Sequence, residues 1–355
     1  MKNNASPLGI AIVGCGMISE FQSQAIQALG GARLAGFYNR TPESAHRRAR
    51  QFGAPAFERL EDLLASSEVD CVSICTPSGA HLEIALLAAR ASKHVIVEKP
   101  LEITPERVDQ IIAACQKAGV LLGAIFPRRF QESSRALKQA IDRGRFGRIV
   151  LGDVHIKWFR TQEYYDTGVW RGTWKLDGGG VLMNQGIHGI DLLQWCLGGV
   201  AEVSAFTSTL AHERIEVEDT ATVAVRFHNG ALGSIEGTTG AWPGAKMRLE
   251  VCGSKGTAVL EDDVIVTWKF DTEEPQDEEI RRKHGPREGL PDGGAADPRG
   301  ISFEGHRRQF EDFVRAVQTG TQPCCSGLDA RGSVEVICAI YKSAREGRPV
   351  RLTTR

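Results

Sequence analysis

The sequence is short of charge of either sign in excess. Its 43 Lys and Arg against 44 Asp and Glu leave a net charge of -1 at pH 7. With no basic surplus to neutralise a phosphate backbone, no nucleic-acid partner is expected. No apolar run approaches the length of a membrane span, so no membrane partner is expected either. The apolar stretch 8–13 is too brief for a signal core, and the cytoplasm is the expected compartment. The nine cysteines are scattered and odd in number, and no CxxC pair occurs. That excludes a zinc framework and a thioredoxin-type motif; buried reduced thiols at all nine positions and no bound metal are the expectation. No internal repeat is present. What remains is a chain of 355 residues, 42% hydrophobic and 25% charged. Those are ordinary values for a folded protein, and the length suggests two domains with a sizeable core.

The first half alternates buried strands with helices. Ile10 to Val13 is fully apolar and runs into Gly14-Cys15-Gly16-Met17-Ile18-Ser19, after which Phe21 to Leu29 has helical spacing. Strand, glycine turn and helix in that order form a dinucleotide fingerprint with Ser19 in the third glycine position. Gly14 permits the tight turn. Gly16 lets a pyrophosphate approach the backbone at the helix N-terminus. The next strand, Arg33 to Tyr38, ends at Asn39-Arg40. An NAD-preferring site places an acid there for the adenosine ribose. Asn39 removes that charge and Arg40 can pair with a 2′-phosphate, so the cofactor is NAD or NADP, with a lean towards NADP. Thr41-Pro42 opens a second helix. Asp70 to Cys75 is a further strand, ending in Thr76-Pro77 on the cofactor edge, with His81 starting the helix beyond. Val120 to Ile125 is a sixth strand. Short connections between such alternating elements imply a doubly wound parallel sheet.

The strand His94-Val95-Ile96-Val97 delivers Glu98-Lys99-Pro100. Ligands of open α/β sheets bind outside the carboxyl ends of the strands, which places Lys99 in a cleft. Proline restricts Lys99 to an extended or turn geometry, and an X-Pro bond can be cis.

Gly14-Cys15-Gly16-Met17-Ile18, Cys75-Thr76-Pro77 and Glu98-Lys99-Pro100 together resemble the glucose–fructose oxidoreductase / inositol dehydrogenase (Gfo/Idh/MocA) family, over essentially the whole chain. The resemblance implies an N-terminal Rossmann domain and a C-terminal α+β domain with a mostly antiparallel open sheet. In the family that sheet often supports dimers or tetramers, so a homodimer or homotetramer is expected. The division expected here is 1–127 for the Rossmann domain and 128–355 for the substrate-binding and oligomerisation domain. Gly14, Gly16, Met17, Ile18, Asn39, Arg40, Thr76, Pro77, His81, Glu98 and Lys99 are the cofactor-binding candidates.

The second half is rich in alternating stretches: Ile149 to Phe159, Val203 to Thr209, Thr220 to Phe227, Leu232 to Gly237 and Met247 to Cys252. Asn229-Gly230 signals a tight hairpin. Among these strands lies Gly178-Gly179-Gly180, followed by a helix through Trp195. Asn184 and His188 are four apart on it and Asp191 three further, so all three share one face. Asp191 either orients His188 or is buried as a packing partner. The family commonly has Asp where Asn184 stands; Asn184-Gln185-Gly186-Ile187-His188 is similar to a branch that includes UDP-sugar-acid dehydrogenases. Trp170 can stack on a sugar and Arg171 can pair with a carboxylate or phosphate, while Arg128 and Arg129 follow the last strand of the first domain and are candidates to touch cofactor or substrate. Asp271 to Gly300 reads as a long mobile loop, and Phe303 to Val317 and Leu328 to Arg345 as helices.

The function expected is hydride transfer between a nicotinamide and a hydroxyl of a sugar, sugar acid, nucleotide-sugar or polyol. Lys99 and His188 are the catalytic candidates; Lys99, Trp170, Arg171, Asn184 and His188 are the substrate candidates. His188 is favoured as base because imidazole titrates near neutrality, with Lys99 as donor to the alkoxide. An NAD-dependent glycoside hydrolase and a non-catalytic nucleotide sensor are the rival readings.

Overall fold

The computed structural model describes residues 6–286 and 302–353. Two compact units divide the chain, Met1–Pro127 with Ser302–Arg331, and Arg128–Ile301 with Gly332–Arg355. The break after Pro127 falls where the alternation stops. The second unit is not continuous to the C-terminus, however, since Ser302–Arg331 packs with the first.

The first unit contains β1 (Leu8–Val13), α1 (Met17–Gln27), β2 (Ala32–Tyr38), α2 (Pro42–Phe52), β3 (Ala56–Phe57), α3 (Leu60–Ala65), β4 (Cys71–Ile74), α4 (His81–Arg90), β5 (His94–Val97), α5 (Pro105–Ala118) and β6 (Leu122–Ala124). Its strands form one six-stranded sheet in the order β3-β2-β1-β4-β5-β6, and every pairing is parallel. The order reverses between β1 and β4, the switch point at which such sheets bind nucleotides. β1, β4 and nearly all of β5 are buried, which is why they read as continuous apolar runs rather than alternations.

The second unit contains α6 (Glu132–Asp142), β7 (Ile149–Lys157), α7 (Gln162–Asp166), α8 (Ile187–Leu197), β8 (Val200–Ser208), β9 (Thr220–Phe227), β10 (Leu232–Thr238), β11 (Arg248–Gly253), β12 (Gly256–Glu261), β13 (Val264–Phe270) and α9 (Pro275–His284). After it come α10 (Glu304–Thr319), which belongs to the first unit, then α11 (Gly327–Glu346) and β14 (Val350–Arg351). Eight strands form the second sheet, in the order β13-β12-β11-β7-β10-β9-β8-β14. All neighbours are antiparallel except β7 and β10. Along β9, Ala221, Val223, Val225 and Phe227 are buried while Thr222, Ala224 and Arg226 are exposed, as a sheet with one covered face requires. α8 covers that face of β7: a Cβ on Gly189 would press on Val154 and on the Met247 sulfur. The hairpin at Asn229-Gly230 forms as expected, with Gly230 at φ +87°.

Two expectations change. The stretch 271–300 is not all loop, because Pro275–His284 is a helix. Its charges suit one: the Glu274 amide donates to Asp277 at 2.7 Å, Pro275 opens the first turn, and Arg281, Arg282 and Lys283 close the last. Residues 287–300 of that stretch lie outside the described residues. Nor are all nine thiols buried, since Cys324 is exposed beside Asp312. Burial pushes the Cys15 and Cys115 thiols up to about 11 and Cys196 to about 12, so they sit as neutral packing groups. None of the described helices is long and apolar enough to cross a membrane.

α10 belongs with the first unit for apolar reasons. Phe310, Phe313 and Val314 join Ile10, Ile12, Ile96 and Ile125 in its core. Gly123 of β6 makes room for the Phe313 ring, which would lie 2.7 Å from a Cβ there. Gln309 accepts from the Phe126 amide at 2.9 Å and donates to the Ala124 carbonyl at 2.5 Å. Phe313→Ala is therefore expected to destabilise the first unit by about 3–5 kcal/mol, read as a lowered midpoint in urea denaturation; a loss under 1 kcal/mol would detach α10 from this core.

Candidate active site

In the first unit the candidates gather at the carboxyl ends of the strands. Gly14 follows β1 with φ +100°, and a Cβ there would stand 2.6 Å from the Cys75 carbonyl carbon and 2.7 Å from the Thr76 nitrogen. Glycine is required by both conformation and space. Gly16 is different: a Cβ there meets nothing within 4 Å. It is exposed, as is Met17, with Ile18 half-buried beside them. No side chain caps α1, so its first amides face open space. Ser19 is fully buried as the small third residue, its hydroxyl donating to the Gly16 carbonyl at 2.6 Å. Arg48 of α2, which the sequence reading passed over, braces the turn from outside. Its guanidinium donates to the Gly16 carbonyl at 3.1 Å and to the Ser19 hydroxyl at 3.1 Å.

Asn39 spends its amide locally. Its oxygen accepts from the Cys15 amide at 3.1 Å and its nitrogen donates to the Thr41 carbonyl at 3.1 Å. Arg40 beside it is exposed and makes no ion pair among the described residues. Thr76 and Pro77 are half-buried after β4, and the Thr76 hydroxyl is buried without a hydrogen-bond partner among the described residues. His81 is 1% exposed. Its ring lies between the Pro100 carbonyl, 3.0 Å from Nδ1, and the Thr76 carbonyl, 2.9 Å from Nε2. Burial pulls its pKa below the ordinary imidazole value. A neutral ring has one N–H and donates to only one of those two carbonyls, so His81 packs between the Thr76 loop and the proline of the Glu-Lys-Pro stretch and hydrogen-bonds one of them.

Glu98 is buried at the end of β5. One oxygen accepts from Gln22 Nε2 at 2.7 Å, and Gln22 in turn accepts from the Ser73 hydroxyl at 2.5 Å. His306 Nε2 of α10 stands 3.6 Å from the same carboxylate oxygen. The other oxygen accepts from the Lys99 amide at 3.2 Å. Burial alone would raise the Glu98 pKa, but His306, Lys99 and Gln22 outweigh it and hold the carboxyl below its ordinary value. Lys99 is half-buried and the Lys99–Pro100 peptide is cis.

In the second unit the triple glycine leads into Leu182–Gly186, a turn of π-helix continuous with α8. The expected single α-helix thus begins with a wider turn, and Asn184 lies in it. Asn184 and His188 are both half-buried. Asn184 Nδ2 donates to Asp177 Oδ1 at 2.8 Å, and Asp177 Oδ2 accepts from the Gly172 amide at 3.0 Å. Asp177 is 2% exposed and joins the Trp170-Arg171-Gly172 loop to the helix; no local pattern marks it. Tyr164 of α7 lies under two guanidiniums, Arg171 at 4.4 Å and Arg160 at 5.6 Å from its ring centre. Its hydroxyl accepts from Gln185 Nε2 at 3.4 Å. Arg171 also stands 5.4 Å from the Trp170 ring, donates from Nη1 to the Tyr164 carbonyl at 3.2 Å, and forms no salt bridge among the described residues.

Asp191 does its work elsewhere on the helix. Both its oxygens accept from Arg129, Nε and Nη2 each at 2.7 Å, and both residues are buried. Arg128 is likewise taken by Asp262 at 2.9 Å. The two arginines proposed to touch ligands each pair with a carboxylate of the second unit, Arg129 through two nitrogens and Arg128, among the described residues, through Nη2 alone. Glu218, absent from the expected set, accepts from the amides of Gly180 and Leu182 at 2.9 Å each and from the Tyr341 hydroxyl at 2.9 Å.

Comparison with known proteins places both units. Residues 8–126 match a family model described as the oxidoreductase family, NAD-binding Rossmann fold, and residues 134–259 match one described as the GFO/IDH/MocA C-terminal domain. The chain belongs to the Gfo/Idh/MocA oxidoreductases. It is similar to the WlbA dehydrogenase of Bordetella pertussis, solved in complex with NADH and UDP-GlcNAcA, at 34% identity and TM-score 0.89 over 99% of each chain. It is 28% identical to the myo-inositol 2-dehydrogenase of Thermotoga maritima over 97% of this chain and 98% of that one. It is 25% identical to the scyllo-inositol 2-dehydrogenase (NAD(+)) of Bacillus subtilis over 96% and 95%. As a Gfo/Idh/MocA protein it is an NAD-binding oxidoreductase acting on CH–OH groups.

The residues present fit a dinucleotide. Gly16 leaves space beside uncapped α1 amides, and the buried Thr76 hydroxyl lacks a partner among the described residues on the same strand edge. Gly16→Ala is accordingly expected to fold with an unchanged melting temperature yet bind NADH more than tenfold more weakly by fluorescence titration. The Gly14 position instead forces a conformation alanine resists, so Gly14→Ala lowers the melting temperature itself. Full NADH affinity in Gly16→Ala would remove the glycine turn from the pyrophosphate site.

Proposed function

We propose that this Gfo/Idh/MocA protein oxidises a hydroxyl of a sugar that carries an acidic group, a sugar acid or nucleotide-sugar. The observation that carries the reading is Arg171. Its guanidinium lies 4.4 Å from the Tyr164 ring centre and 5.4 Å from that of Trp170, donates from Nη1 to the Tyr164 carbonyl at 3.2 Å, and forms no salt bridge among the described residues, while its Nε is buried without a hydrogen-bond partner among them. A half-buried cation set beside two aromatic rings, with no carboxylate of its own among the described residues, is suited to a planar anion. It shares Asp177 with Asn184 through the loop amide at Gly172. The name of the B. pertussis relative's ligand, UDP-GlcNAcA, agrees with an acidic sugar; the inositol dehydrogenases act on neutral polyols, and Arg171 weighs against a polyol here.

The proton chemistry is assigned to His188 and Lys99. The nicotinamide, when bound, accepts or returns hydride. His188 takes the hydroxyl proton as general base. Lys99 donates a hydrogen bond to the developing alkoxide, and Asn184, an amide that takes up no proton, orients the substrate. Lys99 keeps its place because Glu98 holds its amide. On the adenosine side, Asn39 carries no charge to repel a 2′-phosphate and Arg40 is open to pair with one. NADP is therefore proposed to serve as well as NAD, with the balance towards NADP.

A panel of uronates, UDP-sugar acids, neutral sugars and inositols, each with NAD and with NADP, tests this. Net reduction of the cofactor with acidic sugars is expected, and Arg171→Ala should raise KM for them by roughly tenfold to a hundredfold. Turnover confined to neutral polyols would overturn the acidic-substrate reading. Lys99→Ala should bind NADH normally while kcat falls by about a hundredfold or more. Retention of most turnover would take Lys99 out of the chemistry.

A further inference from the structure

The helix that carries Asn184 and His188 begins in an unusual way. A helix N-terminus exposes amides that attract an anion. Here the anion is supplied from within. Glu218 Oε2 accepts from the Gly180 amide and Oε1 from the Leu182 amide, each at 2.9 Å, while its backbone carbonyl accepts from the Val181 amide at 3.1 Å. Three consecutive amides at the start of this helix thus end on one residue. Oε1 also accepts from the Tyr341 hydroxyl of α11 at 2.9 Å. The glycines admit this grip. A Cβ on Gly180 would run into the Glu218 carbonyl oxygen, and one on Gly179 into the Tyr341 hydroxyl.

We propose that Glu218 is the positioning residue of the substrate helix, its carboxylate setting the register of Asn184 and His188 by holding the amides of the preceding elbow. An ionised carboxylate presents two acceptor oxygens to three donors. Once protonated it carries an O–H of its own into a ring of donors, and one of those hydrogen bonds is lost. The grip is therefore tight in the ionised form and slack in the neutral one. Burial pushes the Glu218 carboxyl up to about 7, against the pull of the Leu182 and Gly180 amides and Tyr341, so the change falls near neutral pH. The titratable groups facing it are Tyr341 and, one turn earlier on α11, Cys338, which acts on Tyr341. Its neighbour Asp219 is turned to the amides of Leu210, Ala211 and His212. A raised carboxyl pKa also has a fixed sign in stability: its contribution is full below the unfolded carboxyl value and is lost as pH rises through about 7. The same charge that seats the helix therefore costs the fold stability, as ionising any buried carboxyl does.

The inference rests on reading Asn184 and His188 as the substrate face, and its test needs no substrate. The full chain is labelled with ring-13C histidine and the His188 resonance is assigned by its loss in His188→Gln. Its shift is followed from pH 5 to 9 in wild type, Glu218→Gln and Tyr341→Phe. Wild type is expected to show, beside the imidazole's own titration, a second inflection near pH 7 that follows Glu218 and is absent in Glu218→Gln. Tyr341→Phe removes a donor to the carboxylate and should move that inflection upward. NADH affinity should stay within about twofold in both variants, since the cofactor candidates lie in the first unit. With a substrate from the panel, Glu218→Gln should lower kcat on the order of tenfold to a hundredfold with KM nearly unchanged. Superimposable His188 curves in wild type and Tyr341→Phe, or a kcat within twofold of wild type in Glu218→Gln, would overturn the proposal. Should Glu218→Gln not fold, Tyr341→Phe alone decides.

Discussion

A carboxylate removed from water must be met by donors, and that requirement organises the surroundings of the candidate site residues. An unanswered buried charge costs several kcal/mol, a large share of the roughly 5–15 kcal/mol by which a domain is stable. Glu98 is answered by Gln22 and the Lys99 amide, Asp177 by Asn184 and the Gly172 amide, and Asp191 by both arms of Arg129. In the first two cases one donor is backbone. Satisfying the acid therefore fixes the chain: Lys99 cannot shift without stranding Glu98, nor the Trp170-Arg171 loop without stranding Asp177. Apolar packing builds the two sheets, and the first two of these acids help fix where Lys99, Asn184 and the Trp170-Arg171 loop stand on them.

The two glycine clusters use one piece of physics in opposite ways. Around Gly14 and Gly16 the amide end of α1 has no side-chain cap, and the Thr76 hydroxyl on the same strand edge has no partner among the described residues. Around Gly179 and Gly180 the amide end is filled by an internal carboxylate. The first turn invites an external anion and the second excludes one. An acidic substrate must then be recognised by a side chain and not by helix amides, which is the part assigned to Arg171. Arg40 and Arg171, two of the cations given a ligand, have no acidic partner among the described residues, whereas Arg128, Arg129 and Arg145 are all paired.

Much of the fold was legible because its signals are local. The glycine turn, the apolar strands and the Glu-Lys-Pro stretch each occupy fewer than ten consecutive residues, and the order of alternation dictates the parallel sheet. The hairpin at Asn229-Gly230 and the alternation along β9 were equally plain. What was hidden depends on partners distant in sequence. Asp177 and Glu218 look like ordinary acids until Asn184 and Gly180 arrive beside them. Arg129 looked like a ligand contact because Asp191, 62 residues on, is invisible from its position. α9 was concealed by composition: its caps and dipole-matched charges are polar, and a count of charge reads them as loop. β12 and β13 were passed over beside the charge-rich segment that follows them. Ser302–Arg331 was assigned by its place in the chain, while its membership is set by where Phe310 and Phe313 find apolar surface.

That last assignment has a consequence for synthesis. Gln309 holds the amide of Phe126 from 183 residues downstream. At ~5–20 residues per second a ribosome needs roughly ten to forty seconds to cover that interval. Throughout it the nucleotide-binding half is present but incomplete, with the apolar surface meant for Phe310 and Phe313 bare to solvent. This protein's earliest-made half is thus among the last to close, since its core is completed only when Phe310 and Phe313 have been made.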